Sequence, residues 1–190
     1  MLENSNRYRT GYETSRCLRP LRRRRPSLDK MIFSSHIRKS MAVSGVVLAS
    51  DQWTKWWIVF HVMQPPQVIE ITPFFNLVMG WNYGVSFGML SSVPELSAWF
   101  LPCVVLAIVA GLLIWLFRVD QLSQAIGLGL IIGGAIGNLI DRFRFGAVAD
   151  FLDFHVWGFH WPAFNIADSA ITIGAVALIL NSFSTVEEKP

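Results

Sequence analysis

The chain has 190 residues, 53% hydrophobic and only 15% charged, with a mean hydropathy of +0.43. This excludes an ordinary soluble domain and points to an integral membrane protein with a few spans. The net charge of +3 hides a segregation: residues 1–39 hold 11 Lys/Arg and 3 Asp/Glu, while the remainder is acidic.

The tail 1–39 is rich in Arg and Ser and is expected to be disordered. Its charge suits nucleic acid, but it has few aromatics and no recognisable fold motif, so it reads as a topology signal and no nucleic-acid partner is expected. Met31 and Met41 are alternative starts. The first apolar run, about 41–62, is long for a signal-peptide core and lacks a small-residue cleavage site, so it reads as an uncleaved span. The loop 64–97 carries no Lys or Arg and is punctuated by Pro65-Pro66 and Pro73. Within it Val68–Ile71 and Phe74–Met79 are expected as short strands of a small sheet on the membrane surface. Further spans follow at about 98–117, 124–140 and 164–183. Arg22–Arg25, Arg38 and Lys39 precede the first span, Arg118 follows the second and Lys189 the fourth. The positive-inside rule then puts both termini in the cytoplasm and the loops 64–97 and 141–163 outside. The expected class is an all-α polytopic membrane protein of four transmembrane helices with a small outward β-element. It divides into the extension 1–39, a membrane domain 40–185 and a cytoplasmic tail 186–190. Several of the 8 Trp lie near span ends, as in an aromatic belt. Cys17 and Cys103 give neither a disulfide framework nor a metal-ligand spacing.

The chemistry concentrates in two copies of Asn-x-x-Asp. Asn138-Leu139-Ile140-Asp141 closes the third apolar run, and Asn165-Ile166-Ala167-Asp168 opens the fourth. Successive spans are antiparallel, so both patterns fall on one face of the bilayer. Carboxylates at membrane depth are costly and normally functional, and two that converge suggest an acid/base pair sharing a proton. Three residues apart on a helix is one face, so each amide can orient its carboxylate. The macrodipole favours charge on Asp168 at a helix start and disfavours it on Asp141 at a helix end. Asp168 is therefore expected to activate water and Asp141 to hold the shared proton. A lone Asp at a span end is often only a cap; the paired pattern beside Gly133-Gly134 and Gly137 argues for more. Gly133 and Gly137 also form a small-xxx-small packing pair.

Asp51 and Lys55, four apart in the first span, read either as an ion pair that eases insertion or as support for the site from a third helix. Arg142 can snorkel to headgroups or bond a substrate carbonyl. Asn82 and Gly84 are explicable by loop geometry alone. His155 and His160 lack the companions of a metal site, and no metal is expected. Serine-nucleophile, nucleotide-loop and zinc-protease motifs are absent. A small multi-pass transporter or proton relay is the alternative, but the second span is nearly all apolar and the polar groups cluster toward the outer face. Presenilin-type signatures are also absent, and a non-catalytic assembly protein would leave both aspartates dispensable.

Five blocks carry a resemblance. They are Asp51-Gln52-Trp53-Thr54-Lys55, Phe75-Asn76-Leu77-Val78 and Asn82-Tyr83-Gly84-Val85-Ser86-Phe87-Gly88, then Gly133 to Arg142 continuing through Val148-Ala149-Asp150-Phe151-Leu152-Asp153-Phe154, and Phe164-Asn165-Ile166-Ala167-Asp168. In that order, over about residues 43–180, they resemble the lipoprotein signal peptidases (signal peptidase II), bacterial membrane aspartic proteases. The resemblance implies four membrane helices with an outward β-cradle, and Asp141 and Asp168 as the catalytic dyad. It implies supporting roles for Asp51, Lys55, Asn82, Asn138, Arg142 and Asn165. It implies diacylglyceryl-modified prolipoproteins as substrates, cut just before the lipidated cysteine, in the bacterial inner membrane among membrane lipids. No metal or organic cofactor is implied, and globomycin is an expected inhibitor. The long tail 1–39 and Ser86, where many members carry Ala, depart from the pattern.

Overall fold

The apolar runs form helices because a helix satisfies every backbone hydrogen bond within one segment, as a backbone surrounded by hydrocarbon requires. The computed structural model describes residues 35–84 and 94–186. Most of the tail 1–39, with Cys17 and Arg22–Arg25, lies outside the described residues, as do Val85–Gly88, including Ser86, and Lys189. Helix α1 runs Ser35–Trp57 and ends in a π-helical turn over Ile58–Val62; it begins inside the segment that the sequence assigns to the tail. Strands β1 (Ile69–Thr72) and β2 (Phe75–Asn82) follow, then α2 (Pro94–Leu116), α3 (Leu122–Phe145), β3 (Val148–Val156), β4 (Phe159–His160) and α4 (Ile166–Val186).

The protein is thus mostly helical with one small antiparallel sheet, ordered β1-β2-β3-β4. Among the described residues, three helices are long and apolar enough to cross a membrane: Trp99–Leu116, Leu122–Phe145 and Ile166–Phe183. The α1 helix is more polar than these three and carries Asp51 and Lys55, both buried. Only 17% of the α2 and α4 spans is buried in the protein against 61% of α3, so α3 is the axis of the bundle. It packs on α1, α2 and α4. Leu116, Leu128 and Ile132 centre one core within the helices, and Met63, Ile58 and Phe151 centre a second beneath the sheet.

Glycines bring the axis close to its neighbours. A Cβ on Gly133 would fall 2.7 Å from the carbonyl oxygen of Ser44, and one on Gly137 would fall 2.5 Å from Asp51 Oδ2. The small-residue stripe therefore serves close α1–α3 contact. The third helix also runs a turn further than the sequence suggests. It ends where Gly146 takes φ 70° and donates its N–H to the Arg142 carbonyl at 3.0 Å, a left-handed cap that needs glycine. Asp141 and Arg142 are consequently inside α3 and not at its end.

Strand β3 follows at once. It pairs with β2 from Phe75↔Phe154 to Asn82↔Val148, and it is tied by Phe151 and Leu152 to Phe164, directly before α4. The alternation in Asp150-Phe151-Leu152-Asp153-Phe154 is thus a strand, and it sets Asp150 beside the start of α4. Replacing Gly137 by Ala should destabilise the protein by about 1–3 kcal/mol through overpacking against Asp51. Gly111→Ala, with nothing within 4 Å of the added carbon, should be neutral or stabilising. Thermal unfolding of both variants in detergent checks this.

Candidate active site

The second Asn-x-x-Asp is a reciprocal helix cap. Asn165 Oδ1 accepts the Asp168 N–H at 3.0 Å, and Asp168 Oδ2 accepts the Asn165 N–H at 3.3 Å. The first is a mid-helix pair whose members face different partners. Asn138 Nδ2 donates to Asp168 Oδ1 at 2.7 Å, whereas Asp141 turns toward α1.

Lys55 Nζ explains the split. It lies 2.9 Å from Asp51 Oδ2, 2.9 Å from Asp141 Oδ2 and 2.9 Å from Asn138 Oδ1, with its side chain 3% exposed. Asp141 is wholly enclosed. Its Oδ2 also accepts the Ala149 N–H at 3.3 Å, and its Oδ1 accepts the Gln52 amide at 3.0 Å. Asp51 accepts the Ala167 N–H at 3.0 Å, so the same network reaches α4. With Lys55 and Asn165 Nδ2 (3.2 Å) both donating to Asn138 Oδ1, the Asn138 amide nitrogen is left facing Asp168.

The carboxylate that faces Asp168 across open space is Asp150. Both line one cavity of about 730 Å³, together with Asn82 and, further along, Phe159, Trp161 and Thr172. Asp141 is not among the lining residues. This departs from the expected pairing of Asp141 with Asp168. Asp150 Oδ1 accepts Asn165 Nδ2 at 2.7 Å, and its Oδ2 accepts Asn82 Nδ2 at 3.2 Å. Burial, and then the neighbouring Asp168 charge, push Asp150 up to about 6, against the pull of the two amides. Arg142 donates to the Asn138 carbonyl at 3.2 Å, with its charge near Asp168, Asp150 and Asp141 and its buried Nε without a protein partner. All the sequence-predicted residues thus gather in one network, but they fall into two halves: Asp51, Lys55 and Asp141 inside, and Asn82 and Asp168 at the cavity. Asn138 and Asn165 join the halves, with Arg142 beside them.

A pair of carboxylates, one at the start of a membrane-capable helix and one on the strand beside it, is equipment suited to an aspartic peptidase. The family model described as signal peptidase (SPase) II matches residues 43–184. The chain belongs to the signal peptidase II family. It is similar to the lipoprotein signal peptidase of Methylorubrum extorquens (strain PA1), with 43% identity over 80% of this chain and 90% of that one. The lipoprotein signal peptidase of Rhizorhabdus wittichii is 42% identical over 82% of this chain and 92% of that one. A solved bacterial membrane enzyme, determined by the in meso method at 2.3 Å resolution, superposes with a TM-score of 0.70 at 32% identity, covering 80% of this chain and 93% of that one.

Two residues of this cluster make contacts that the motifs do not display. Asp150 was legible only as part of a charged-apolar alternation. Gln52, which bonds both Asp51 and Asp141, shows no signal beyond its place beside Asp51. The remaining polar cluster lies on β3–β4, where His160 Nδ1 meets Asp153 at 2.9 Å and stacks on His155. Among the described residues, no group of three or more His, Cys, Asp or Glu is arranged to hold a metal ion.

The network yields a prediction. Lys55→Met alone strands two buried carboxylates and should cost about 3–5 kcal/mol. Adding Asp141→Asn restores the original buried net charge and should recover about half of the lost stability. Thermal unfolding of the single and double variants measures the difference.

Proposed function

We propose that the chain is a membrane aspartic endopeptidase whose working pair is Asp150 and Asp168, cutting diacylglyceryl-modified prolipoproteins before the lipidated cysteine. The observation that carries the pair is their shared cavity, from which Asp141 is absent. Asp168 accepts the Asn138 amide and the Asn165 N–H, which hold its carboxylate in place at the cavity. Asp150, buried and beside that charge, holds the proton.

Asp168 accepts a proton from water as its oxygen attacks the scissile carbonyl carbon, while Asp150 gives its proton to the carbonyl oxygen. In the resulting diol Asp150 takes back one hydroxyl proton, and Asp168 passes its proton to the cysteine nitrogen. The C–N bond breaks, leaving a signal-peptide carboxylic acid, which loses its proton to solvent, and a free lipidated-cysteine amine. Arg142, buried beside the pair and absent from the cavity lining, offsets the negative charge of Asp168 and Asp150 without touching substrate. Asp51, Lys55 and Asp141 hold Asn138 in place and touch no substrate.

On this reading α1 is a fourth span whose charged residues face inward, and 40–185 is the membrane domain. Both termini are cytoplasmic, with the basic extension 1–39 on that side and the tail 186–190 beside it. The sheet and cavity face outward across the bacterial inner membrane, where acyl chains stay in lipid while the scissile bond reaches the pair.

Asp150→Asn and Asp168→Asn should each lower cleavage of a diacylglyceryl prolipoprotein by about a thousandfold or more. Asp141→Asn should stay within about tenfold of wild type wherever it folds. A gel-shift assay in detergent reads all three, and an inactive Asp141→Asn beside an active Asp150→Asn would reverse the assignment.

The pH dependence follows from the raised Asp150. The reaction needs that proton, so kcat/KM should fall as pH rises through about 6. The Asn82 amide stabilises the ionised form, so Asn82→Ala should move this limb to higher pH. A limb that stays put would show that Asp150 is not the group titrating.

A further inference from the structure

We propose that the β3–β4 hairpin is a membrane anchor whose tip sits in the lipid headgroup layer beside the cavity mouth. The turn is the first observation. Val156 pairs with Phe159 across a two-residue connection, Trp157-Gly158, with φ 51° and φ 80°. Positive φ at both positions is the tight hairpin turn that favours Asn-Gly. Tryptophan is a poor choice there, because its Cβ crowds the backbone in the left-handed region. Yet Trp157 is 101% exposed, so the fold gains no packing from it.

The second observation is company. Val156, Phe159 and Trp161 are all more than half exposed, and residues 154–161 include no Lys, Arg, Asp or Glu. The third is depth. Phe159 and Trp161 border the same cavity as Thr172 and Ile173. Ile173 is the eighth residue of α4, about 10 Å along its axis, exposed, and inside an apolar membrane-capable segment. The hairpin therefore flanks the first turns of a helix that faces lipid. Its Phe159 and Trp161 adjoin that surface at the cavity, the exposed Trp157 stands two residues from Phe159, and amphipathic aromatic rings suit the headgroup layer. The occupant is the bilayer itself. Given the peptidase reading, the anchor holds the mouth of the cavity level with the leaflet that carries the substrate's acyl chains.

Trp157→Asn separates anchoring from folding, because Asn suits the turn better. The variant should unfold at the wild-type temperature or above and cleave like wild type in detergent micelles. In phosphatidylethanolamine/phosphatidylglycerol nanodiscs its KM for a diacylglyceryl lipopeptide should rise about tenfold with kcat unchanged, the order expected for losing one aromatic side chain from an apolar interface. Wild-type KM in nanodiscs would overturn the proposal. Independently, a nitroxide on Trp157→Cys in a Cys17→Ser/Cys103→Ser background should be more accessible to oxygen than to a water-soluble nickel chelate. Preferential access by the chelate, or protection from both reagents by a second copy, would also overturn it. If wild type cleaves in neither medium, the peptidase reading fails, while the accessibility measurement still decides the anchor.

Discussion

One ammonium group organises this protein. Lys55 Nζ sits within 2.9 Å of oxygens from Asp51, Asp141 and Asn138, almost without solvent. An unpaired charge in that position would cost several kcal/mol, so the fold holds only where α1 and α3 bring those oxygens together. Close approach at Gly133 and Gly137 makes this possible. The excess negative charge is then shared by the Gln52 amide and the N–H groups of Ala149 and Ala167. Those two amides belong to β3 and α4, so the network that neutralises Lys55 also sets the positions of the two elements that carry Asp150 and Asp168.

Chemically similar carboxylates acquire different tasks from their surroundings. Asp141 has an ammonium and two hydrogen-bond donors and no access to the cavity, which suits a permanent counter-ion. Asp150 has two amide donors but no ammonium contact, and it faces a second acid across a cavity. Burial and like charge raise its proton affinity, so that it titrates near 6, well above an ordinary carboxyl group. Asn138 is the joint between the halves: its oxygen is fixed by Lys55 and Asn165, and its nitrogen by Asp168. A rigid inner network thus orients a donor at the reacting edge without entering it, an arrangement suited to preorganised acid/base chemistry.

Much of this was legible in the chain. Apolar runs marked the spans, prolines and β-branched residues marked β1 and β2, and the second Asn-x-x-Asp marked the cap that presents Asp168. The first Asn-x-x-Asp did not disclose its partners, for a physical reason. Helical spacing says that Asn138 and Asp141 are neighbours, but it does not say which neighbouring element each meets. That depends on Lys55, 83 residues from Asn138. Gly146, with Arg142 and Arg144 before it, carried the signal that α3 runs past Asp141. Once β3 begins directly after that cap, Asp150 lies beside the start of α4 and borders the cavity with Asp168. Its strand alternation was visible, but its partner across the cavity is a tertiary fact.

The most direct test of this account asks which carboxyl group carries the titrating proton beside Asp168. Infrared difference spectra of the membrane-reconstituted protein, taken across a pH series, resolve the protonated carboxyl C=O band. The account predicts a band titrating near pH 6 that disappears in Asp150→Asn and persists in Asp141→Asn. A band lost in Asp141→Asn and retained in Asp150→Asn would contradict it.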